Sequence, residues 1–420
     1  MATQFVIDLG IKEEETYSIS NKSLKFDTPD DISPYLEELN KIPHLKKIDF
    51  SGNTIGVEPS KSLADALLKH AETITEVNFA DFFTGRLKDE IPRSLEFLLP
   101  ALLKCHKLRV LNLSDNAFGL QTIDPIESFL AQAVSLEHLI LSNNGMGPYA
   151  GSRIGKSLYK LSVAKSKAEN APKSLKTFYC GRNRLESGSV NYLAIGLRAH
   201  KSLENVRLFQ NGIRPAGVSK LILQGLKANT ELRVFDLQDN TFTYKGAKAL
   251  SVSLPSWSSL KEINVNDCLL NPKGSFEFAK ALNEGDVSKE LEVLKLQYNE
   301  LEANSLELLV ESIDKFPNLK VLELNGNRFE EDSELIEKLS SIFEERGTGE
   351  LDELDDLEEV DSEEEDDEEE EEETDNEEDD TDLDQLQEEL DKEIAGVEVT
   401  KGDEVVDELA EELKKSSINQ

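Results

Sequence analysis

One nine-residue pattern, L-x-x-L-x-L-x-x-N, recurs along residues 45–327 and restricts the fold more than any other feature of the chain. Clear copies are LKKIDFSGN (45–53), LRVLNLSDN (108–116), LEHLILSNN (136–144), LKTFYCGRN (175–183) and LENVRLFQN (203–211). They continue with LRVFDLQDN (232–240), LKEINVNDC (260–268), LEVLKLQYN (291–299) and LKVLELNGN (319–327). A degenerate copy, ITEVNFADF at 74–82, brings the number to ten. The alternating apolar residues of each copy suit a short strand with one buried face. Between copies, segments such as PSKSLADALLKHA and KGAKALSVSLPSW place apolar residues at helical spacing. Most copies follow the last by 28 or 29 residues, enough for a strand and a full helix. Such a unit cannot bury its apolar face alone, so neighbours must stack. The predicted fold is α/β: a leucine-rich-repeat solenoid, a horseshoe of the ribonuclease-inhibitor kind, with a parallel sheet on the concave side and helices on the convex side.

Two adjacent columns of the repeat have different tasks. The terminal position is Asn in eight of ten copies, with Phe82 and Cys268 as departures. An Asn there can bond backbone groups of the loop leaving each strand. Cys is an accepted substitute, so Cys268 reads as a structural thiol. The residue before it lies where strand becomes loop, on the rim. This column runs Gly52, Asp81, Asp115, Asn143, Arg182, Gln210, Asp239, Asp267, Tyr298 and Gly326. It is mostly polar and has no packing task. A partner's edge and an ordinary hydrophilic rim both fit that composition.

Three steps break the period: Phe82 to Asn116 is 34 residues, Asn144 to Asn183 is 39, and Cys268 to Asn299 is 31. Insertions in a solenoid map to loops, where binding residues concentrate. The first carries FTGRLKDEIPRS, with Arg86, Lys88 and Arg93. The second carries Lys160, Lys165, Lys167, Lys173 and Lys176, with Arg182 and Arg184 just after. Those lysines suit either a binding loop or a longer, solvated helix.

Enzyme-like signatures are weak. AGSRIGKS (150–157) approaches a phosphate-binding loop, but Ala150 stands where the first Gly is required and the segment reads as helix. No Ser-His-Asp or Cys-His set can be placed. Cys105, Cys180 and Cys268 and the five histidines are scattered, which fits a reducing compartment and no metal or zinc site. No apolar run reaches 18 residues and the N-terminus has no secretory pattern, so neither a membrane span nor secretion is expected. The net charge of −39 belongs mainly to the end of the chain: residues 351–420 hold 36 acids and 4 lysines, the first 350 hold 49 acids and 42 bases. The expected organisation is an N-terminal cap (1–44), a repeat domain (45–347), an acidic disordered segment (348–380) and a tail (381–420).

Several segments together are more specific than the repeat consensus: FSGNTIG, FTGRLKDEIP, LSDNAFG, LSNNGMGPYAG, CGRNRLE, NGIRP, LQDNTFT, NDCLL, LQYNE, LELNGNRF and the RGTGELDELDD run that opens the acidic tail. Through all the repeats the chain resembles a Ran GTPase-activating protein of the fungal type. The resemblance implies stimulation of GTP hydrolysis by Ran in the cytoplasm, in support of nucleocytoplasmic transport. It places the functional Asn of the family on Asn143 as the catalytic residue. It makes Arg86 and Lys88 interface residues that dock Ran, with Arg184 and Asp239 as further contacts; Arg182, in the rim column, is a further partner-binding candidate. No cofactor is implied, because GTP and magnesium belong to the partner. Ran in its GTP form is the expected partner, together with a Ran-binding protein; nucleic acid and membrane are not, and a monomer is expected.

Chemistry alone would choose Arg86 as an arginine finger, whereas the resemblance favours an Asn that holds the GTPase's own Gln. In the tail, Leu383, Leu386, Leu390, Ile394, Val397 and Val399 recur at near-helical spacing, which fits a nuclear export signal read by an export receptor or a plain amphipathic helix. Two other functions compete. An inhibitor of the ribonuclease-inhibitor type should have an acidic concave face, yet Asn112, Ser114, Tyr179, Arg207, Asp236, Asn264, Lys295 and Glu323 are mixed. A histone chaperone rests on the tail composition alone.

Overall fold

The computed structural model describes residues 7–330, 333–358 and 381–396. Its strands are β1 (Thr16–Ser18), β2 (Lys25–Phe26), β3 (Lys47–Asp49), β4 (Thr54–Ile55), β5 (Glu76–Asn78), β6 (Val110–Asn112) and β7 (His138–Ile140). They continue with β8 (Thr177–Tyr179), β9 (Asn205–Arg207), β10 (Val234–Asp236), β11 (Glu262–Asn264), β12 (Val293–Lys295), β13 (Val321–Glu323) and β14 (Glu350–Leu351). Among the described residues one parallel sheet holds twelve of them, in the order β1, β3, then β5 through β14; β2 and β4 form a separate pair. The ten repeat copies supply β3 and β5–β13, so β1 and β14 are the added edges. Register repeats from strand to strand, as in Leu111 opposite Leu139 opposite Phe178. The middle residue of each repeat strand is buried against the convex helices.

The terminal Asn column forms a buried ladder, unbroken from Asn116 to Asn240. Asn144 Nδ2 donates to the carbonyls of Leu141 (2.9 Å) and Leu113 (3.0 Å), and its Oδ1 accepts from Asn116 N at 2.9 Å. Asn144 N in turn donates to Asn183 Oδ1 at 2.9 Å, and Asn183 N to Asn211 Oδ1 at 2.9 Å. Each amide thus ties its own strand end, the preceding strand end and the preceding loop. Cys268 keeps the register with its thiol on Leu237 O at 3.4 Å, while Cys268 N donates to Asn299 Oδ1. At Phe82 the amide is replaced by aromatic packing: Phe82 stacks on Phe79 and meets Phe50 and Phe83.

The glycines of the phosphate-loop look-alike serve packing. They lie in the helix Gly147–Lys167, and a Cβ on Gly155 would come within 2.3 Å of the Tyr192 backbone on the next convex helix. The second insertion lengthens this helix to 21 residues and turns one of its lysines inward. Lys165 is fully buried; its ammonium donates to Val134 O (2.7 Å), Leu136 O (2.5 Å) and Pro172 O (3.3 Å), and burial lowers its pKa to about 8. Lys173 caps the helix end through Ala168 O at 3.0 Å.

On the concave side, Ile7 and Leu9 pack on an apolar cluster of Val110, Ile140 and Tyr179. Farther along, charges pair across strands: Arg207 with Asp236 (2.7 Å) and Glu262 (2.9 Å), and Lys295 with Glu323 (2.5 Å). The acidic run begins inside the fold. Asp352 accepts from Leu324 N (2.7 Å), Asn325 N (3.0 Å) and Gln297 Nε2 (2.8 Å), and Tyr298 Oη donates to Asp356 at 2.8 Å. Residues 349–358, expected as part of a disordered acidic segment, therefore pack on the repeat domain, because these carboxylates satisfy the open edge of the last repeat. Residues 359–380 lie outside the described set. In the separate C-terminal unit residues 383–396 are helical; Val397 and Val399 lie outside the described residues.

Two buried imidazoles give the fold an acid limit. His200 Nδ1 accepts from Leu175 N (3.1 Å) while Nε2 faces Leu158 O (3.0 Å), so the ring is neutral, and burial pushes its pKa down to about 3. Burial likewise lowers His138 to about 4. Both values lie below the unfolded value of about 6.5. Below that pH the unfolded chain takes up protons that the folded chain refuses. Stability from these groups is full above pH 6.5 and falls by roughly 1 kcal/mol per pH unit for each as pH drops toward 4. Urea midpoints measured from pH 7 to pH 4 should decline accordingly; a flat profile would mean the rings are charged in the fold.

Candidate functional site

The rim column has a common backbone conformation. All ten residues, from Gly52 to Gly326, have φ between 48° and 70°. That region costs a residue with a side chain about 1–2 kcal/mol, least for Asn and Asp. The cost is tolerated because each turn is held between two repeats: Asp115 N donates to Ser142 O (3.0 Å), Asn143 N to Gly181 O (2.8 Å) and Arg182 N to Phe209 O (2.8 Å). The left-handed residue swings its side chain outward while the next residue turns into the ladder. In the pair Asn143–Asn144, the first amide is exposed and the second has 0% exposure.

Asn143 Nδ2 donates to Asp115 Oδ1, on the neighbouring rim turn, at 2.7 Å. Its Oδ1 takes no hydrogen bond from any described residue. Arg182 and Arg184 are exposed on the loop after β8, one repeat beyond Asn143. Asp239 is half-buried, two repeats further on. Burial and the neighbouring Asp267 raise its pKa, against a lowering hydrogen bond from Gln210. A recess of about 380 Å³ there is lined by Arg184, Gln210, Asp239 and Asp267 among others.

Arg86 faces inward, unlike a free finger. Its side chain is 12% exposed, and all of its guanidinium nitrogens are engaged: Nε with Thr54 Oγ1 (2.9 Å), Nη1 with Asp27 (2.6 Å), and Nη2 with Phe26 O (3.1 Å) and Thr54 O (3.2 Å). It fastens the first irregular loop to β2 and β4. The loop then presents Lys88 and Leu87 to solvent, Leu87 at 71% exposure. Sequence reasoning singled out none of the exposed apolar residues Leu87, Leu120 and Tyr149: Leu87 lies on the loop before the helix Glu90–Leu103, Leu120 opens a short helical turn, and Tyr149 sits in the first turn of the helix Gly147–Lys167. Asp115 was visible in the rim column, one repeat before Asn143, but nothing in the pattern marked it as a partner of that residue.

Fold and rim together define a leucine-rich-repeat protein of the horseshoe kind, with a polar, left-handed rim along one edge of its sheet. A family profile described as Leucine Rich repeat matches residues 41–58, 104–120 and 228–251. The chain is 51% identical over 342 residues to Ran GTPase-activating protein 1 of Saccharomyces cerevisiae, covering 80% of this chain and 83% of that protein. It is 35% identical over 335 residues to the Ran GTPase-activating protein of Drosophila melanogaster, covering 79% of this chain and 55% of that one. The ribonuclease inhibitor of Sus scrofa matches at 35% identity over 134 residues, 31% of this chain and 28% of that protein. The chain belongs to the Ran GTPase-activating proteins.

Proposed function

We infer that this chain stimulates GTP hydrolysis by the small GTPase Ran in its GTP form, docking along the rim and using Asn143 to hold Ran's catalytic glutamine in place. The observation that carries this reading is the Asn143 amide: exposed, left-handed, tethered on one side and open on the other, within a chain that is 51% identical over 342 residues to a yeast Ran GTPase-activating protein. Phosphoryl transfer needs an aligned water and stabilised charge on the phosphates. An activator that supplies about 10⁵-fold lowers the barrier by roughly 7 kcal/mol. Fixing a mobile glutamine contributes to that through orientation, and the nucleotide and magnesium stay with the partner. Lys88, Arg182, Arg184 and Asp239 act in docking. Activity in the cytoplasm, in support of nucleocytoplasmic transport and alongside a Ran-binding protein, belongs to the same proposal, as does an export role for residues 381–420.

Single-turnover hydrolysis by purified Ran, with and without this chain, tests the reading; an unchanged Ran rate at saturating chain would end it. The same assay separates the two routes. Because the guanidinium of Arg86 is engaged within the chain, Arg86→Ala should weaken docking and cost about 2–3 kcal/mol of stability. The rate at saturation should stay within about tenfold of wild type. A finger would show the reverse, a rate loss of about 10³-fold or more at unchanged stability.

A further inference from the structure

Asp115 and Asn143 occupy the same rim position in adjacent repeats, both left-handed, with φ of 61° and 57°. Their backbones are fixed one repeat apart by the bonds of Asp115 N to Ser142 O and Asn143 N to Gly181 O. A carboxylate can only accept hydrogen bonds, whereas a primary amide has a donor end and an acceptor end. With Asp115 Oδ1 2.7 Å from Asn143 Nδ2, the amide nitrogen is turned toward Asp115 and the amide oxygen away from it. The choice between the two amide orientations, open for an isolated surface Asn, is made here by the neighbouring charge.

We propose that Asp115 is a positioning residue for Asn143, and that the working atom of Asn143 is its carbonyl oxygen, which accepts a hydrogen bond from the side-chain NH₂ of the GTPase's glutamine. The proposal rests on the role given to Asn143 above and adds the atom and the residue that orients it. With its NH₂ held by Asn143, the glutamine has its own carbonyl oxygen left to accept a proton of the attacking water, the orientation the in-line reaction requires. Without Asp115 the amide samples both orientations, and the one that presents NH₂ to the glutamine NH₂ sets donor against donor. The loss is one of orientation, so it falls on the rate at saturation more than on docking.

Single-turnover hydrolysis by GTP-loaded Ran at varied chain concentration tests this. Asp115→Ala should lower the rate at saturation about tenfold, with the half-saturating concentration within about twofold and the melting temperature unchanged. Asp115→Asn, which keeps an accepting oxygen, should lose less. Asn143→Asp alone should be severely impaired, because two carboxylates then face each other across the rim. The exchanged pair, Asp115→Asn with Asn143→Asp, remakes the bond with donor and acceptor reversed and leaves an accepting oxygen pointing outward. It should recover to within about tenfold of wild type. A wild-type rate for Asp115→Ala, or an exchanged pair no better than Asn143→Asp alone, overturns the proposal. If Asn143→Ala itself keeps the full rate, the reading of Asn143 fails instead, and the two failures are distinguishable.

Discussion

Replacing Asn143 by Ala should lower the stimulated rate of GTP hydrolysis by about 10²–10³-fold at saturating chain, with little change in folding stability. The magnitude follows from what one positioned hydrogen-bonding group contributes to a transition state, roughly 3–4 kcal/mol. Stability should hold because the side chain is exposed and its one bond, to Asp115, lies at the surface. Binding of Ran should change less than the rate, since Arg182, Arg184 and Lys88 also face solvent on nearby loops. The informative readout is therefore the split between rate at saturation and half-saturating concentration. A variant that kept the wild-type rate at saturation would remove Asn143 from the chemistry.

The neighbouring residue should behave in the opposite way. Asn144→Ala removes an amide with 0% exposure that serves Leu113 O, Leu141 O and Asn116 N. Each of those backbone groups is left buried without that partner, at about 1–3 kcal/mol apiece. A total loss on the order of 4 kcal/mol is expected, large against the stability of a domain. In a solenoid, stability is roughly a sum over repeats and their interfaces, so a break in the middle of the ladder also uncouples the two halves. Thermal unfolding followed by circular dichroism should then begin earlier and broaden. Where the variant still folds, its rate at saturation should match wild type. An unshifted transition would mean that water replaces the amide and that the ladder matters less than its geometry suggests.

The contrast between two adjacent Asn residues also marks what could be read from the sequence. The strands and the ladder were legible because they rest on local periodicity: an inward apolar residue every second position and an amide at a fixed place in each copy. Even Cys268 was legible, since its register identified its task. The inward turn of Arg86 was not, because its partners Phe26, Asp27 and Thr54 lie 32–60 residues away and belong to the irregular first repeats. Lys165 was missed for a related reason: a lysine in a long insertion normally reads as solvated, and only the three converging carbonyls make it a cap. The acidic run misled in part. Its composition says disorder, yet Asp352 and Asp356 are spent on the last repeat before the charge density rises. The Asp115–Asn143 bond spans one repeat, 28 residues, so its possibility was present in the rim column, but only side-chain placement could single it out.

The left-handed rim bears on how such a protein responds to selection. Glycine is the residue that suits this backbone best, yet in the column it occurs only at Gly52 and Gly326, the first and last copies. The eight copies between them keep a side chain where the backbone disfavours one. A library screened for heat resistance alone should drift toward glycine along this arc, Asn143 included, and yield hardened but inert horseshoes. A library screened for action on the GTPase should resist that drift, and the positions that resist most strongly would outline the working footprint without any structure of the complex.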